Sequence, residues 1–166
     1  MTFKPHRQRV GGFTIIEVLM SLAILSVILG IALPTYSEHQ QRVNISLAQK
    51  DLVKIAMRLE THMSLHYQYP EYLSDIGMDI EDPWGNPYQY LNLDDVDPSS
   101  GEVTTGAKGP KPKARKKRNL KPLNTDFDLF SMGQDGTYRP NVSAKESVDD
   151  IIRADDGDYL DYAGDY

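Results

Sequence analysis

Glu17 is the only ionisable residue in an apolar stretch that runs from Phe13 to Pro34. A charge at the centre of a membrane-spanning helix costs roughly 2.5–3.5 kcal/mol on insertion scales, and less near a helix end. Near an end, the carboxylate can either approach the membrane surface or pair with a positive group. If the chain were cut after Gly12, the new amine of Phe13 would be such a group, within the same chain or in a neighbouring helix.

A second set of candidate ligand residues lies near the C-terminal end of the sequence, where aspartates greatly outnumber basic residues. The aspartates are Asp149, Asp150, Asp155, Asp156, Asp158, Asp161 and Asp165, and the one basic residue among them is Arg153. Dense negative charge repels itself unless solvent or cations neutralise it, and Ca²⁺ takes roughly six to eight oxygen ligands. Composition alone favours a solvated acidic segment, and the spacing around Gly157 does not match an EF-hand.

The sequence shows neither a nucleophile elbow nor an HExxH zinc motif, although spacing alone does not exclude a glycosidase-like carboxylate pair. It has no cysteine, which excludes a disulfide framework and a cysteine-based zinc site. His62 and His66 have the i, i+4 spacing of a metal-binding pair, but no glutamate follows His62 as it does in a zinc protease. We therefore interpret both histidines as surface or helix-end residues, and a membrane-anchored enzyme is the weaker hypothesis.

The apolar stretch has the length of a membrane anchor. About 20 residues at about 1.5 Å each give roughly 30 Å, which is the thickness of the hydrocarbon layer of a bilayer. The preceding residues 1–12 carry Lys4, Arg7 and Arg9 and no acid, so we expect this end of the chain on the cytoplasmic side. No Ala-x-Ala site follows the apolar stretch, unlike in an ordinary secretory signal.

Beyond Pro34 the helical pattern continues and becomes amphipathic. Apolar residues recur at spacings of three and four, at Ile45, Ala48, Leu52, Ile55, Leu59 and Met63. Such a stripe predicts a helix with one face in a hydrophobic core. We expect one helix from about Phe13 to His66, with at most a bend at Pro34.

Two strands are predicted after the helix. Turn-forming residues dominate the segment DPWGNP, where Trp84 is expected to pack against the helix, and alternation then predicts a strand over residues 88–93. A second alternating segment covers residues 126–132. The predicted fold class is therefore α+β, with a long N-terminal transmembrane and amphipathic helix packed on a small antiparallel sheet.

A basic insertion, residues 108–122, separates the two predicted strands. It is rich in Lys, Arg and Pro and contains no acid, so we expect an exposed loop. Clustered positive charge also attracts phosphate, but the insertion lacks aromatic residues that could stack on bases. Contact with acidic surfaces of neighbouring subunits is a third hypothesis for this insertion.

The N-terminal residues resemble a known processing signal. The sequence GFTIIE from Gly12 to Glu17, followed by an apolar run, is similar to the class III signal of type IV pilins and type II secretion pseudopilins. The resemblance implies that a prepilin peptidase cuts between Gly12 and Phe13 and that Phe13 becomes N-methylated. It also implies that Glu17 and Pro34 serve in helix assembly. Loss of the leader would take the formal net charge from −6 to −9, a poor basis for binding nucleic acid.

The later motifs are similar to those of the major pseudopilin of type II secretion systems. The segments YP…DPWGNPYQY and SMGQDG carry this resemblance. It implies a structural calcium ion in the C-terminal loop. The implied ligands are the side chains of Asp135, Asp149 and Asp150, with Ser131 as a further candidate.

The implied organisation has four parts: a leader (1–12), a transmembrane and assembly helix (13–34), an amphipathic helix (35–66) and a turn-rich C-terminal region with the sheet (67–166). The resemblance implies a structural subunit in the bacterial inner membrane, with its soluble domain in the periplasm and no small-molecule substrate. Its implied partners are prepilin peptidase, an inner-membrane assembly platform, other pseudopilins and copies of itself in a filament. The alternatives are a type IV pilus subunit and, more weakly, a membrane-anchored DNA-binding module.

Overall fold

The computed structural model describes residues 12–96, 113–117 and 122–166. These residues form a long helix and four short strands: α1 (Ile15–His66), β1 (Gln89–Asn92), β2 (Phe127–Ser131), β3 (Ile151–Ala154) and β4 (Tyr159–Tyr162). The chain divides into two compact units, the first ending at Gln41 and the second beginning at Arg42. The predicted α+β class is confirmed.

The described part of the first unit consists almost entirely of α1. Large apolar side chains between Ile15 and Leu33 are exposed. Within the described ranges, α1 is the helix long and apolar enough to cross a membrane by length and composition. It continues through Pro34 without interruption, so the prediction of one helix as far as His66 is confirmed.

The second unit contains an antiparallel sheet with the strand order β1-β2-β3-β4. Tyr90 lies opposite Leu129 where β1 pairs with β2, and Phe130 lies opposite Ile152 where β2 pairs with β3. The two predicted strands correspond to β1 and β2. Each strand follows its neighbour in sequence, so the sheet is a simple meander within the described residues.

The predicted apolar stripe of α1 packs on one face of this sheet. The core contains Ala48, Leu52, Ile55 and Leu59 from the helix and Tyr90, Phe127, Leu129 and Ile151 from the strands. Fully burying an aliphatic or aromatic side chain contributes roughly 1.5–3 kcal/mol, so this contact stabilises the unit substantially. Trp84 is half-buried against the same core, as predicted.

The opposite face of the sheet carries a second core, which the sequence did not predict. It contains Leu123, Phe130, Val142, Ile152, Ala154 and Ala163. All five residues of β2 are buried, because this strand is covered on both faces. The sheet is therefore the middle layer of the second unit.

Strands β3 and β4 lie in the region that composition alone predicted to be a solvated acidic segment. Ile151 and Ile152 are buried, and Asp155 and Asp156 lie in the turn Asp155–Gly157 that connects the two strands. The expectation of a solvated segment is therefore wrong for β3, where alternating core contacts outweigh the surrounding charge.

The basic insertion also differs from the expected exposed loop where it is described. Ala114 and Arg115 are buried. The amide of Lys116 donates to the carbonyl of Pro140 at 2.8 Å, and the amide of Val142 donates to the carbonyl of Lys116 at 3.0 Å. Backbone hydrogen bonds thus fix residues 113–117 to the second unit, while residues 108–112 and 118–121 of the insertion lie outside the described residues.

Candidate processing motif and candidate cation site

Gly12 and Phe13 precede the first turn of α1 and are not part of any regular element. The Phe13 side chain is 88% exposed. A Cβ atom built on Gly12 would meet no described atom within 4 Å, so the fold itself does not require glycine at this position. The predicted cleavage bond is therefore accessible, and a requirement for Gly12 would have to come from the enzyme that cuts it.

Glu17 finds its hydrogen-bond partners in its own helical turn. Its Oε2 atom accepts from the amide and from the hydroxyl of Thr14, each at 2.8 Å, and its amide donates back to the Thr14 hydroxyl at 3.3 Å. Thr14 is the residue before α1, so the two residues form a capping box that satisfies free donors at the helix start. The acid also lies at the end of the helix where the backbone dipole favours negative charge.

Ser131 ends β2 and connects two of the motifs that carried the resemblance. Its hydroxyl donates to Asp82 Oδ2 at 2.5 Å and accepts from the amide of Gly133 at 3.1 Å. The other oxygen of Asp82 accepts from the amides of Trp84 and Asn86, at 3.0 and 2.8 Å. Ser131 therefore joins the DPWGNP turn to the SMGQDG segment.

Asp135 and Asp149 lie next to each other beyond Ser131. The amide of Asp135 donates to Asp149 Oδ2 at 3.1 Å, while Asp135 Oδ1 accepts from the amide and hydroxyl of Thr137. Gly133 has a positive φ of 63° and packs against Asp149, whose carbonyl oxygen would lie 2.3 Å from an added Cβ atom. The close approach explains glycine in the Ser-x-Gly motif.

Asp150 points away from these two aspartates, into the layer behind the sheet. Its Oδ2 accepts from Arg115 Nη2 at 2.6 Å, and both side chains are almost completely buried. The same guanidinium donates from Nη1 to the carbonyl of Arg139 at 2.9 Å and lies 4.3 Å from the centroid of the Phe130 ring. Arg115 is therefore held by an ion pair, a carbonyl and an aromatic face at once.

A third buried charge, Asp128, lies beside this pair. It accepts from the amide of Arg115 at 2.6 Å and from Asn124 Nδ2 at 2.9 Å. Burial raises the pKa of Asp128 to about 6. Burial also raises the pKa of Asp150 to about 7 against the opposing effect of Arg115, and it lowers the pKa of the Arg115 guanidinium.

The four residues predicted to bind calcium do not converge on one point. Asp135 and Asp149 are neighbours, but Ser131 is hydrogen-bonded to Asp82 and Asp150 is paired with Arg115. In the described ranges, no three His, Cys, Asp or Glu side chains are grouped so as to hold a metal ion. The side chains as arranged do not fit an ion that takes roughly six to eight oxygens.

Comparison with known proteins bears on the predicted similarity to pilins and pseudopilins. The model of the prokaryotic N-terminal methylation motif matches residues 7–33. Type II secretion system core protein G of Pseudomonas aeruginosa is 25% identical over 156 residues, covering 79% of this chain and 88% of that protein. The protein of the same name from Aeromonas hydrophila is 24% identical over 111 residues, covering 52% of this chain and 76% of its own. This chain is similar to type II secretion system core protein G over most of its length.

The similarity to core protein G confirms the resemblance inferred from the N-terminal and sheet motifs. The matched methylation motif includes Gly12, Phe13 and Glu17. The Pseudomonas alignment extends over most of the chain and thus well beyond the apolar helix. No solved structure matches the chain with significance.

Three residues of these sites were missed by the sequence analysis. Thr14 could have been found, because Thr-x-x-Glu before an apolar run is the pattern of a capping box. The contact of Asp82 with Ser131 could not be predicted from neighbouring residues, because the two are 49 positions apart in the sequence. Arg115 is one of several basic residues in its insertion, and nothing in the pattern marks it as the buried one.

Proposed function

We propose that this chain is a structural pseudopilin of a type II secretion system and has no catalytic role. In this proposal prepilin peptidase removes residues 1–12 and the new amine of Phe13 is methylated. The subunit is held in the bacterial inner membrane by the apolar part of α1, with its second unit in the periplasm. Copies assemble with other pseudopilins, through the inner-membrane assembly platform, into a pseudopilus that drives protein export.

One observation carries this proposal: the methylation motif coincides with an exposed peptide bond just before an apolar helix of membrane-spanning length. The bond between Gly12 and Phe13 is accessible to a peptidase, and the exposed apolar side chains of α1 offer a surface that lipid or other helices can cover. The names of the two relatives favour a secretion system over a type IV pilus.

Nucleic acid has no part in this proposal. Among the described basic side chains of the insertion, Arg115 is buried against Asp150 and is not available to phosphate. The formal net charge of −6 also opposes a sequence-independent attraction to DNA.

Deletion of the gene in the producing bacterium tests the proposal. We expect proteins normally exported to the medium to accumulate in the periplasm while surface pili remain, and the wild-type gene to restore export. Normal export together with loss of pili would instead assign the chain to a type IV pilus. Normal export with normal pili would refute both functions.

A further inference from the structure

The ion pair of Arg115 and Asp150 lies where the resemblance to pseudopilins led us to expect a calcium ligand. Asp150 is 0% exposed, Arg115 is 2% exposed, and 2.6 Å separates Asp150 Oδ2 from Arg115 Nη2. We propose that the Arg115 guanidinium supplies the positive charge that this loop would otherwise require from calcium, so that the loop folds independently of calcium. This inference goes beyond the proposed function and does not depend on it.

The contact between Arg115 and Asp150 is made through one hydrogen bond, from Nη2 to Oδ2. In the described part of the chain, Arg115 Nε and Asp150 Oδ1 are buried and make no hydrogen bond. They are a donor and an acceptor of the same ion pair, and Nε shares with Nη2 the edge of a guanidinium that faces a carboxylate in a bidentate pair. Within the pair itself, the positive charge of Arg115 offsets the negative charge of Asp150.

Several contacts hold the Arg115 guanidinium in one position. Its Nη1 atom donates to the carbonyl of Arg139, and its plane lies over the Phe130 ring, 4.3 Å from the ring centroid. The backbone amide of Arg115 donates to Asp128 at 2.6 Å. Replacing the guanidinium by an ion would forfeit its contacts with Arg139 and Phe130, while the hydrogen bond of the amide to Asp128 fixes the backbone from which the side chain extends.

The remaining predicted ligands are engaged in hydrogen bonds that stabilise the loop without a metal. Ser131 donates to Asp82, and Asp149 Oδ2 accepts from the amide of Asp135. Asp135 in turn caps the backbone at Thr137. The oxygens Ser131 Oγ, Asp149 Oδ2 and Asp135 Oδ1 therefore already take part in protein hydrogen bonds.

This substitution also gives the basic insertion a structural role. Residues 113–117 lie between β1 and β2 in sequence, and backbone bonds from Lys116 to Pro140 and Val142 fix them beside the loop. The insertion thereby places the buried guanidinium of Arg115 next to Asp150. An ion pair of this kind offsets part of the cost of burying the Asp150 carboxylate without a metal.

Calcium titration of the intact wild-type chain tests the inference directly. The protein, solubilised in detergent and stripped with EGTA, is titrated with calcium chloride in a calorimeter and melted with and without calcium while the fluorescence of Trp84 is recorded. We expect no saturable binding heat and a Tm that changes by less than about 1 °C. Saturable binding together with a rise in Tm would overturn the inference, because a ligand specific for the folded state stabilises that state.

Arginine variants provide a second test with an internal control. Arg115→Met leaves Asp150 buried and unpaired, and we expect Tm to fall by about 10 °C or more. Arg139→Met is the matched control, because Arg139 belongs to an exposed pair with Glu146 at 3.4 Å and should change Tm by no more than about 2 °C. If Arg115→Met does not fold, the double variant Arg115→Met/Asp150→Leu should recover folded protein. Equal Tm values for wild type and Arg115→Met would contradict the inference.

Discussion

The amide and the hydroxyl of Thr14 both donate to one oxygen of Glu17, each at 2.8 Å. Before any cleavage, the acid that begins the apolar helix is thus already satisfied within its own chain. In the proposed pseudopilin, this lowers the cost of holding a carboxylate at the edge of a membrane before assembly. A charge partner at the Phe13 amine would then add to the capping box rather than create the only contact of Glu17.

We expect Thr14→Val to loosen the start of α1. The substitution removes the hydroxyl that donates to Glu17 and accepts from its amide, and loss of such a cap costs about 0.5–2 kcal/mol. Amide exchange at residues 15–18, measured by NMR in detergent, should accelerate about 2- to 30-fold. Ser21→Ala is the control, because the Ser21 hydroxyl donates only to a carbonyl inside the helix. Equal exchange in both variants would argue against the capping box.

Two substitutions at Glu17 separate capping from charge pairing. Glu17→Ala removes both, and we expect normal membrane insertion but little filament. Glu17→Gln keeps a side-chain oxygen for Thr14 and removes the charge, so a charge partner at Phe13 predicts that filament yield is also low. Filament recovered by shearing and sedimentation is compared with membrane-bound subunit. Wild-type yield from Glu17→Gln would show that the cap alone suffices.

Gly133→Ala should destabilise the second unit much more than Gly77→Ala. Both glycines have nearly the same positive φ, 63° and 64°, and share the same backbone strain. An added Cβ at Gly133 would lie 2.3 Å from the carbonyl oxygen of Asp149, whereas none of the described atoms lies within 4 Å at Gly77. We expect about 1 kcal/mol for Gly77→Ala and at least about 3 kcal/mol for Gly133→Ala, measured from urea unfolding of Trp84 fluorescence. Equal losses would mean that the loop can shift away from Asp149.

The raised pKa of Asp128 predicts a pH dependence of stability. The folded protein holds this proton up to about pH 6, whereas the ordinary pKa of the group is 3.8. Because the folded state binds the proton more tightly than the unfolded state, the contribution of Asp128 to the free energy of unfolding falls as pH rises from about 4 to about 6. The Asp128→Asn variant should lose this contribution, as seen in urea midpoints across the window. The exposed Asp79→Asn control should keep it, and parallel curves for wild type and Asp128→Asn would contradict the assignment.

Local pattern was sufficient to predict much of the fold. The spacing of Ala48, Leu52, Ile55 and Leu59 predicts a single buried face, and helix periodicity determines where that face lies. Alternation likewise predicted β1 and β2 within a residue or two at each end. The N-terminal motif was predictable because its residues are contiguous and their chemistry does not depend on distant parts of the chain.

The unpredicted features depend on contacts between segments that are far apart in sequence. Strand β3 contains Arg153 and lies among aspartates, and only its pairing with β2 and β4 brings Ile151 and Ile152 into the two cores. Arg115 meets Asp150 across 35 positions, and a basic composition predicts exposure for any residue that lacks such a partner. Sequence patterns predict local geometry, whereas the pairing of buried charges depends on which distant segments pack together in the folded protein.

The mass of the chain isolated from cells most directly tests its assignment as a processed pseudopilin. In cells with prepilin peptidase we predict a chain that begins at Phe13 and carries one added methyl group, and in cells without the enzyme a chain that retains residues 1–12. A Cβ at Gly12 or at Gly30 meets no described atom within 4 Å, so neither valine variant should disturb the fold. We expect Gly12→Val to remain uncut, because it changes the cleavage site, and Gly30→Val to be processed. A wild-type chain that retains residues 1–12 in the presence of the peptidase would contradict the account.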